Sequence, residues 1–221
     1  MIIHNDIEQG SGLWHQLRLG KVTASNAHRL LTPAKFHTFY LELLSERLTN
    51  VCIESYTSDA MQWGIDQEPF ALEWYEKKMG CEITTCAFIE LENLNAGCSP
   101  DALVGKEGMI QVKCPNPKGH IQYIIEGPTN EIITQMQFEM FCYEAKWNDF
   151  LSFDPRYPGD LVGYVKRLLR DDALIKKLES LTTRMNTMID AFLFDRNISI
   201  EKVDIVERKL ELDKLSRYLG A

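Results

Sequence analysis

The residues of this sequence that are best suited to chemistry are Asp101, Gln111 and Lys113, which stand in the segments Ser99-Pro100-Asp101 and Gln111-Val112-Lys113. Carboxylate and amide oxygens are hard ligands of the kind that Mg²⁺ binds, and a lysine ammonium supplies a compact positive charge. A bound Mg²⁺ lowers the pKa of a coordinated water and neutralises charge on phosphoryl oxygens. An acid, an amide and an ammonium at one spot therefore predict metal-assisted chemistry on a phosphate group.

A β-hairpin would bring these side chains together. Apolar runs at 98–104 and 109–115 flank the turn sequence Gly105-Lys106-Glu107-Gly108, which is typical of a hairpin. Side chains alternate along a strand, so Gln111 and Lys113 share one face. A turn centred on Lys106 and Glu107 places Asp101 opposite Val112, where its carboxylate is a diagonal neighbour of both side chains.

The remaining elements predict an α/β fold with a mixed β-sheet flanked by helices. Strand 82–92 is expected to pair with the hairpin as a three-stranded meander, and the acids and bases at helical spacing in 200–221 predict a further helix. The chain is predicted to be a single domain over 1–221, with a helical C-terminal part from about 171 to 221. Helices are predicted at 11–20, 25–31, 32–49, 58–79, 130–143 and 171–195, a short helix within 116–127, and strands at 22–23, 149–153 and 161–169.

Two predicted helices carry polar residues that could complete a site. Glu68 lies one turn after Gly64 in helix 58–79, and a glycine in mid-helix costs about 1 kcal/mol relative to alanine, which suggests close approach of another element. In the same helix Met61 and Ile65 are expected to face inward. In helix 130–143, Gln135 and Glu139 stand at i and i+4 on a common face. Taken alone, Glu68 is more typical of a solvated acid, and it becomes a candidate because the hairpin site lacks a second carboxylate.

Arg18 and Ser25 lie where one predicted helix ends and the next begins. Ser25 is expected to cap the helix 25–31, and a helix N-terminus with a free hydroxyl is a natural seat for a phosphate. A nearby arginine would bind that phosphate through two hydrogen bonds. The alternative interpretation is a simple cap and a surface charge.

The composition limits the classes of protein that fit. There are 24 basic and 32 acidic side chains, a net charge of −8, and the isoelectric point is about 5.2, which argues against a protein that covers nucleic acid with its whole surface. DNA binding would need locally positive charge in a groove. The six cysteines contain no C-x-x-C pair, which favours reduced thiols in a cytosolic core. No basic and apolar leader and no apolar run long enough to cross a bilayer is present, so we expect a soluble intracellular protein.

The pattern Ser99-Pro100-Asp101 followed by Gln111-Val112-Lys113 resembles the PD-(D/E)XK nuclease core. One position departs from that core, because Gln111 stands where most such nucleases have an acid. An amide offers only a neutral carbonyl oxygen, so the loss of one negative charge should weaken binding of a divalent cation and could shift the metal preference.

Six motifs in order resemble the bacteriophage lambda exonuclease family, also called the YqaJ-type viral recombinase nucleases. They extend from residue 14 to residue 156. The motifs are Trp14-His15-Gln16-Leu17-Arg18-Leu19-Gly20 with Thr23-Ala24-Ser25, Gly64-x3-Glu68, Ser99-Pro100-Asp101, Gln111-Val112-Lys113-Cys114-Pro115, Gln135-x-Gln137-x2-Met140, and Asp154-Pro155-Arg156.

The resemblance implies a metal-dependent exonuclease that degrades one strand of linear duplex DNA from its 5′ end, releases mononucleotides and leaves a 3′ overhang for recombination by strand annealing. It implies that Mg²⁺, for which Mn²⁺ is expected to substitute, is held by Asp101, the Gln111 oxygen, the Val112 carbonyl and Glu68. Lys113 would assist the attacking water. Further residues carried over from the family are Gln135, which would face the active site, and Arg18, Ser25 and Ser99, which match the family's pocket for the 5′-phosphate.

The resemblance also implies partners and a place of action. Family members form ring-shaped homotrimers around double-stranded DNA and work with a phage single-strand annealing protein, so a phage or prophage protein in the bacterial cytoplasm is expected. A ring would reconcile the low isoelectric point with DNA binding, because basic side chains can line the channel while acids cover the exterior.

Two alternatives follow from Gln111. The protein would be a DNA-binding recombination scaffold if the missing acid leaves the site catalytically weak or inactive. It would be an endonuclease if the same core acts away from DNA ends. Retention of Asp101 and Lys113 favours an exonuclease over the scaffold.

Overall fold

The structure is a computed structural model, and it describes residues 1–52 and 59–199. The strands in this part of the chain are β1 (Ile2–His4), β2 (Val22–Thr23), β3 (Phe88–Leu91), β4 (Ala96–Cys98), β5 (Ala102–Val104), β6 (Gly108–Lys113), β7 (Trp147–Phe153) and β8 (Gly163–Leu169). The α-helices are α1 (Gly12–Arg18), α2 (Pro33–Thr49), α3 (Asp59–Met79), α4 (Pro117–Glu126), α5 (Asn130–Tyr143) and α6 (Asp172–Asp195). Short 3₁₀ helices span Ala24–Leu31, Glu92–Leu94 and Gly159–Val162.

The strands form two mixed sheets of four strands each, in the orders β1-β3-β4-β2 and β5-β6-β7-β8. In the second sheet β6 runs parallel to β7, with Gln111 opposite Phe150. Parallel neighbours need a crossover connection, and α4 and α5 supply it. The predicted α/β class, a mixed sheet flanked by helices, is therefore confirmed, with the strands divided between two sheets.

Local signals in the sequence account for most helix boundaries. The Ser11 side chain caps α1, Thr129 caps α5 and Asp171 caps α6, each by accepting hydrogen bonds from backbone N–H groups of the first turn. Gly20 follows α1 at a φ of +65°, where glycine carries no steric cost. These helices begin and end within about two residues of the predicted bounds.

Helix α3 is held firmly against the second sheet. Its residues Ala71, Leu72 and Tyr75 are buried with apolar side chains of β6 and β7. The Tyr75 hydroxyl donates a hydrogen bond to Asp149 at 2.6 Å, and Arg167 on β8 binds the same carboxylate with two hydrogen bonds of 2.8 Å. The burial of Asp149 is matched by this charged and hydrogen-bonded partner set, which links α3 to β7.

The predicted meander is wrong. Strand β3 is confined to Phe88–Leu91 and pairs with β1 and β4 in the first sheet. The hairpin β5–β6 lies in the second sheet, and its backbone pairs with this segment at the isolated bridge between Thr84 and Leu103. Strand partners depend on residues far away in the chain. Here β1, near the N-terminus, is the edge strand that pairs with β3.

The hairpin register also differs from the prediction by one position. Ala102 pairs with Ile110 and Val104 with Gly108, so the turn contains three residues rather than two. Gly105 adopts a φ of +57° at the start of that turn, which the absence of a side chain permits. Asp101 is therefore shifted by one position from Val112 towards Gln111.

The predicted helix at 200–221 lies outside the described residues. Met61 and Ile65, expected to face inward, are 49% and 59% exposed, so that prediction is wrong for both. Among the helices of residues 1–52 and 59–199, none combines the length and apolar character that crossing a bilayer requires.

Candidate active site

The Asp101 carboxylate is fixed to strand β6. Asp101 follows β4 and precedes β5, and its Oδ2 accepts a hydrogen bond from the backbone nitrogen of Val112 at 2.5 Å. The same oxygen accepts a hydrogen bond from the Gln111 Nε2 atom at 2.5 Å. The carboxylate is therefore placed by the backbone of the strand that carries Gln111, Val112 and Lys113.

These residues line one cleft between α3 and β6, with a volume of about 360 Å³. Gly64 and Glu68 contribute from α3, and Asp101, Gln111, Val112 and Lys113 from the opposite wall. Gln135 on α5 reaches Gln111 from the other side, since its Nε2 donates to Gln111 Oε1 at 2.5 Å. The structure thus brings the predicted cation-binding residues, Lys113 and Gln135 into one neighbourhood.

Gly64 faces open space in this cleft. Apart from the adjacent residues and the nearby backbone of its own helix, a Cβ atom on Gly64 meets no atom of the described protein within 4 Å. The expectation that another protein element approaches the glycine is therefore wrong within the described residues. Gly64 therefore lines the same cleft as Glu68 on α3 and Asp101 on the opposite wall.

The pKa values of the two acids of the cleft, Asp101 and Glu68, are both raised. Burial raises the pKa of Asp101 to about 6, while Lys113 and the Val112 N–H lower it. Burial and the charge of Asp101 raise the pKa of Glu68 to about 7, and Lys113 lowers it. Two carboxylates that oppose each other's ionisation are a natural seat for a cation, because a cation removes both the desolvation cost and the repulsion.

The donor set fits Mg²⁺ only with help from neutral oxygens. Within residues 1–52 and 59–199, no cluster of three His, Cys, Asp or Glu side chains stands ready for a metal ion. Mg²⁺ is commonly held by one or two carboxylates, with waters and substrate phosphate oxygens completing its octahedron. Glu68 and Asp101 could supply those carboxylates, and Val112 lines the same cleft.

Gln111 presents its nitrogen to Asp101. Its Nε2 donates to Asp101 Oδ2 and, at 3.2 Å, to the Val112 carbonyl oxygen, while its Oε1 accepts from Gln135. In this arrangement the Gln111 oxygen points away from Asp101. The amide oxygen expected to bind the cation is therefore engaged elsewhere.

Glu139 is a further acid next to the cleft that the sequence indicated only through its i, i+4 spacing from Gln135. It is fully buried and accepts hydrogen bonds from Gln135 Nε2 at 2.9 Å and from Asn148 Nδ2 at 2.8 Å. Burial and the charge of Asp101 raise the pKa of Glu139 to about 8, against the hydrogen bonds and Lys113, which lower it. No local signal marked this carboxylate as buried, because its burial depends on β7.

Arg18, Ser25 and Ser99 form a second polar group, beside the Ser99-Pro100-Asp101 segment. Arg18 donates to Ser99 Oγ at 3.1 Å and to Ser25 Oγ at 3.4 Å. Burial lowers the pKa of Arg18 to about 10, so the guanidinium stays charged at neutral pH. An arginine flanked by two hydroxyls is suited to a phosphate monoester.

Trp14 joins this polar group, although its motif predicted no role for the indole. The Arg18 guanidinium lies 4.1 Å from the centre of the Trp14 ring, and Trp14 Nε1 donates to Ser99 Oγ at 2.9 Å. The indole therefore fixes both the cation and the hydroxyl. The prediction that Ser25 caps its helix is wrong, because the 3₁₀ helix begins at Ala24 after Thr23 and shows no side-chain cap.

The Asp154-Pro155-Arg156 motif braces α3. Arg156 binds the buried Asp154 carboxylate with hydrogen bonds of 2.7 and 2.8 Å. Its guanidinium also stacks 4.3 Å from the centre of the Trp63 ring, next to Gly64 on α3. The motif therefore ties the end of β7 to the helix that carries Glu68.

Comparison with known proteins points to one family. Residues 13–146 match the model of the YqaJ-like viral recombinase domain. Two crystal structures of the alkaline exonuclease LHK-Exo from Laribacter hongkongensis, one of them in complex with dAMP, are 35% identical to this chain. Each covers 93% of this chain and 100% of its own, with a TM-score of 0.77.

A more distant match supports the fold alone. The crystal structure of a phage-related exonuclease from Haemophilus somnus 129PT is 15% identical, with a TM-score of 0.64 over 82% of this chain and 99% of that one. A comparison with curated protein sequences gives no match.

Proposed function

This chain belongs to the YqaJ-like viral recombinase domain family, and we propose that it is a metal-dependent exonuclease of the lambda exonuclease type. It degrades one strand of linear duplex DNA from the 5′ end, releases mononucleotides and leaves a 3′ overhang for recombination by strand annealing. The observation that carries this proposal is the cleft that places Glu68, Asp101 and Lys113 together. The dAMP bound to LHK-Exo is a nucleoside monophosphate, which supports mononucleotides as products.

In this proposal, one set of residues holds the cation and Lys113 acts on the attacking water. Glu68, Asp101 and the Val112 carbonyl would hold Mg²⁺ or Mn²⁺, with Gln111 as a further ligand when its oxygen faces them. The ion would supply charge neutralisation on the scissile phosphate and a lowered pKa for water. Lys113, on the same cleft wall, would orient that water and stabilise negative charge that develops on the phosphoryl oxygens. Gln135 orients Gln111 through its hydrogen bond to Oε1.

The pocket of Arg18, Ser25 and Ser99 supports the 5′ polarity. A terminal 5′-phosphate carries more negative charge than an internal phosphodiester, and a fixed guanidinium with two hydroxyls selects for that charge. Ser99 belongs to this pocket and Asp101 to the cleft, two residues further along the chain. Because the two residues are so close in the chain, the scissile bond in the cleft would lie at a constant distance from the 5′-phosphate bound by the pocket.

The assembly and partners belong to the same proposal. The chain acts on double-stranded DNA ends as a ring-shaped homotrimer in the bacterial cytoplasm and delivers the overhang to a phage single-strand annealing protein. The net charge of −8 makes binding by a monomer surface unfavourable, whereas a ring confines positive charge to its channel. Light scattering after size exclusion should give a mass of three times the 25.5 kDa of one chain.

Digestion of a linear duplex with different labels at its two ends tests the activity directly. We expect release of 5′-labelled mononucleotides with Mg²⁺ or Mn²⁺, and no release with EDTA. The Asp101→Ala variant is the matched inactive control. Failure to release mononucleotides with either ion would favour the scaffold alternative. The neutral Gln111 is the feature that supports this alternative, because most such nucleases have an acid at this position. Cleavage of closed-circular DNA would favour the endonuclease.

A further inference from the structure

A chain of hydrogen bonds connects the cation cleft to a buried acid on α5. It runs from Asp101 through Gln111 and Gln135 to Glu139. Gln111 and Gln135 are here called the amide relay. Gln111 donates through Nε2 to Asp101 and accepts through Oε1 from Gln135, whose Nε2 donates to both Gln111 and Glu139. Because an amide has a donor end and an acceptor end, the orientation of one member determines that of the next.

Glu139 sets the direction of the relay in this structure. Its carboxylate accepts hydrogen bonds from Gln135 and Asn148, so Gln135 must turn its nitrogen towards Glu139. The same nitrogen donates to Gln111 Oε1, which leaves the Gln111 nitrogen facing Asp101. An ionised Glu139 is therefore compatible with a Gln111 that offers a donor, and no ligand atom, to a cation beside Asp101.

A second complete pattern exists for the same positions. If Glu139 is neutral, its O–H can donate to the Gln135 oxygen while its carbonyl oxygen still accepts from Asn148. Gln135 then accepts from the Gln111 nitrogen, and the Gln111 oxygen turns towards Asp101 and the Val112 carbonyl. Without a cation those oxygens repel one another, and with a cation among them they become ligands. The first pattern is complete without a cation, whereas the second is complete only when a cation lies among these oxygens.

We propose that Glu139 is a positioning residue for the cation site, which decides through the amide relay whether Gln111 presents its oxygen or its nitrogen to the metal. The inference rests on the proposed metal-dependent function. It gives the chain a way to use a neutral amide where related nuclease cores have an acid. Binding of the cation is accompanied by a proton on Glu139, which lies outside the set of metal-binding residues.

The surroundings of Glu139 favour a proton near neutral pH. The titratable groups that act on it are Asp101 and the β6 residue Lys113, and the charge of Glu139 in turn raises the pKa of the buried Cys98 on β4. Burial and Asp101 raise its pKa to about 8, and the hydrogen bonds from Gln135 and Asn148 and the charge of Lys113 oppose that rise. Both relay directions are consequently accessible at the pH of a bacterial cytoplasm.

The Glu139→Gln variant separates this role from simple electrostatics. A glutamine at this position can accept from Asn148 and donate to Gln135 at the same time, as the protonated acid does. Removing a nearby negative charge should by itself weaken cation binding. If the relay operates, the variant should instead bind the cation more tightly, because the Gln111 oxygen is already turned towards it.

The experiment is titration of metal-free protein with Mn²⁺ by calorimetry, without DNA, at a pH close to the pKa of about 8 for Glu139. We expect E139Q to bind Mn²⁺ about threefold to tenfold more tightly than the unmodified chain. In the Q111E background the same substitution should give no tightening, because a carboxylate has no donor end to turn away. Glu144→Gln, an exposed acid just after α5, is the control and should leave Mn²⁺ affinity unchanged.

The outcomes are distinct. Equal or weaker binding by E139Q, while the unmodified chain binds Mn²⁺, would overturn the relay and leave the proposed function standing. Equal tightening in both backgrounds would also overturn it, since the effect would not pass through the Gln111 amide. Absence of Mn²⁺ and Mg²⁺ binding in all five proteins would overturn the metal-dependent function itself. Titration in two buffers of different ionisation enthalpy adds a second readout: E139Q should release more protons than the unmodified chain, and equal release would contradict the proposal.

Discussion

The Asp101 carboxylate accepts a hydrogen bond from the backbone nitrogen of Val112 at 2.5 Å, although Asp101 precedes β5 and Val112 lies on β6. A backbone donor is rigid, so this bond places the carboxylate relative to strand β6 without dependence on any rotamer of Val112. The relationship explains how a short loop residue and two strand residues come to share one cleft. It also makes substitutions at the cleft informative, because the strand itself should not move.

Asp101→Ala and Lys113→Ala should each reduce turnover about a hundredfold or more, because one removes a charged cation ligand and the other the ammonium beside the attacking water. Binding of duplex DNA should stay within about threefold of the unmodified protein, since backbone phosphate contacts elsewhere dominate affinity. Single-turnover digestion and a filter-binding assay measure the two quantities. Lys106→Ala, in the exposed turn of the same hairpin, is the matched control and should behave as the unmodified chain does; normal turnover in either cleft variant would refute the site.

Arg18→Ala should lower kcat/KM about tenfold or more on DNA with a 5′-phosphate and much less on DNA with a 5′-hydroxyl. The reason is the pair of hydroxyls, Ser25 and Ser99, that flank the guanidinium and shape it for a phosphate monoester. Arg18→Lys keeps the charge but loses the planar pair of donors, so it should recover only part of the preference. Equal losses on the two substrates would show that Arg18 contributes to folding or to general DNA binding instead.

The stability of the metal-free protein should fall as the pH rises across the titration of the cleft acids. Glu68 has a folded-state pKa of about 7 and Asp101 of about 6, both above the values of 4.5 and 3.8 for unperturbed side chains. Between those values the folded chain binds more protons than the unfolded chain, so raising the pH favours unfolding. The contribution of these two acids is therefore fully present below about pH 4 and is lost as the pH passes about 7.

Bound Mg²⁺ should reverse that trend, because the cation binds the ionised carboxylates. The increase in Tm on adding Mg²⁺ should be small at about pH 6 and grow up to about pH 7.5. Thermal unfolding with Mg²⁺ and with EDTA across this range checks the expectation. In Glu68→Gln the pH-dependent part of the gain should shrink; a gain that stays constant with pH in the unmodified chain would contradict the assignment of these acids to the cation.

Gly64→Ala should stabilise the fold and impair function. A methyl group at this position meets no atom of the described protein within 4 Å beyond the adjacent residues and the nearby backbone of its own helix, and alanine is favoured over glycine in a helix by about 1 kcal/mol. The same methyl group would occupy the open side of the cleft, where a DNA strand must approach Glu68. Urea unfolding and steady-state kinetics measure the two effects, and a stabilised variant with an unchanged KM would show that DNA does not pass close to Gly64.

The helices were predictable because their signals are local. Caps such as Ser11 and Asp171, the glycine after α1 and the apolar spacing of α5 and α6 act within a few residues of each helix end. The ordered motifs shared with lambda exonuclease likewise indicated which acid, amide and lysine to group together. Predictions of this kind need no knowledge of what packs against the element.

Strand partners and cap details could not be predicted in the same way. The segment around Phe88 reads as a strand, but its pairing with β1 rather than with the hairpin depends on residues near the N-terminus. The hairpin register was wrong by one position because Gly105 allowed a three-residue turn where the sequence suggested two. Ser25 has the chemistry of a cap, and its hydroxyl faces Arg18 because the helix starts one residue earlier.

What the amino-acid sequence determined by itself is the inventory of the cleft: which residues are acids, amides and bases, and which secondary structure each belongs to. What only the tertiary structure decided is the protonation state of these side chains and the orientation of their hydrogen-bonding groups. The burial of Glu139 requires β7, the raised pKa of Glu68 requires burial of its side chain together with Asp101 on another element, and the orientation of Gln111 requires Gln135 on α5. Charge and hydrogen-bond direction depend on what surrounds a group in space, and neighbours in the chain do not specify those surroundings.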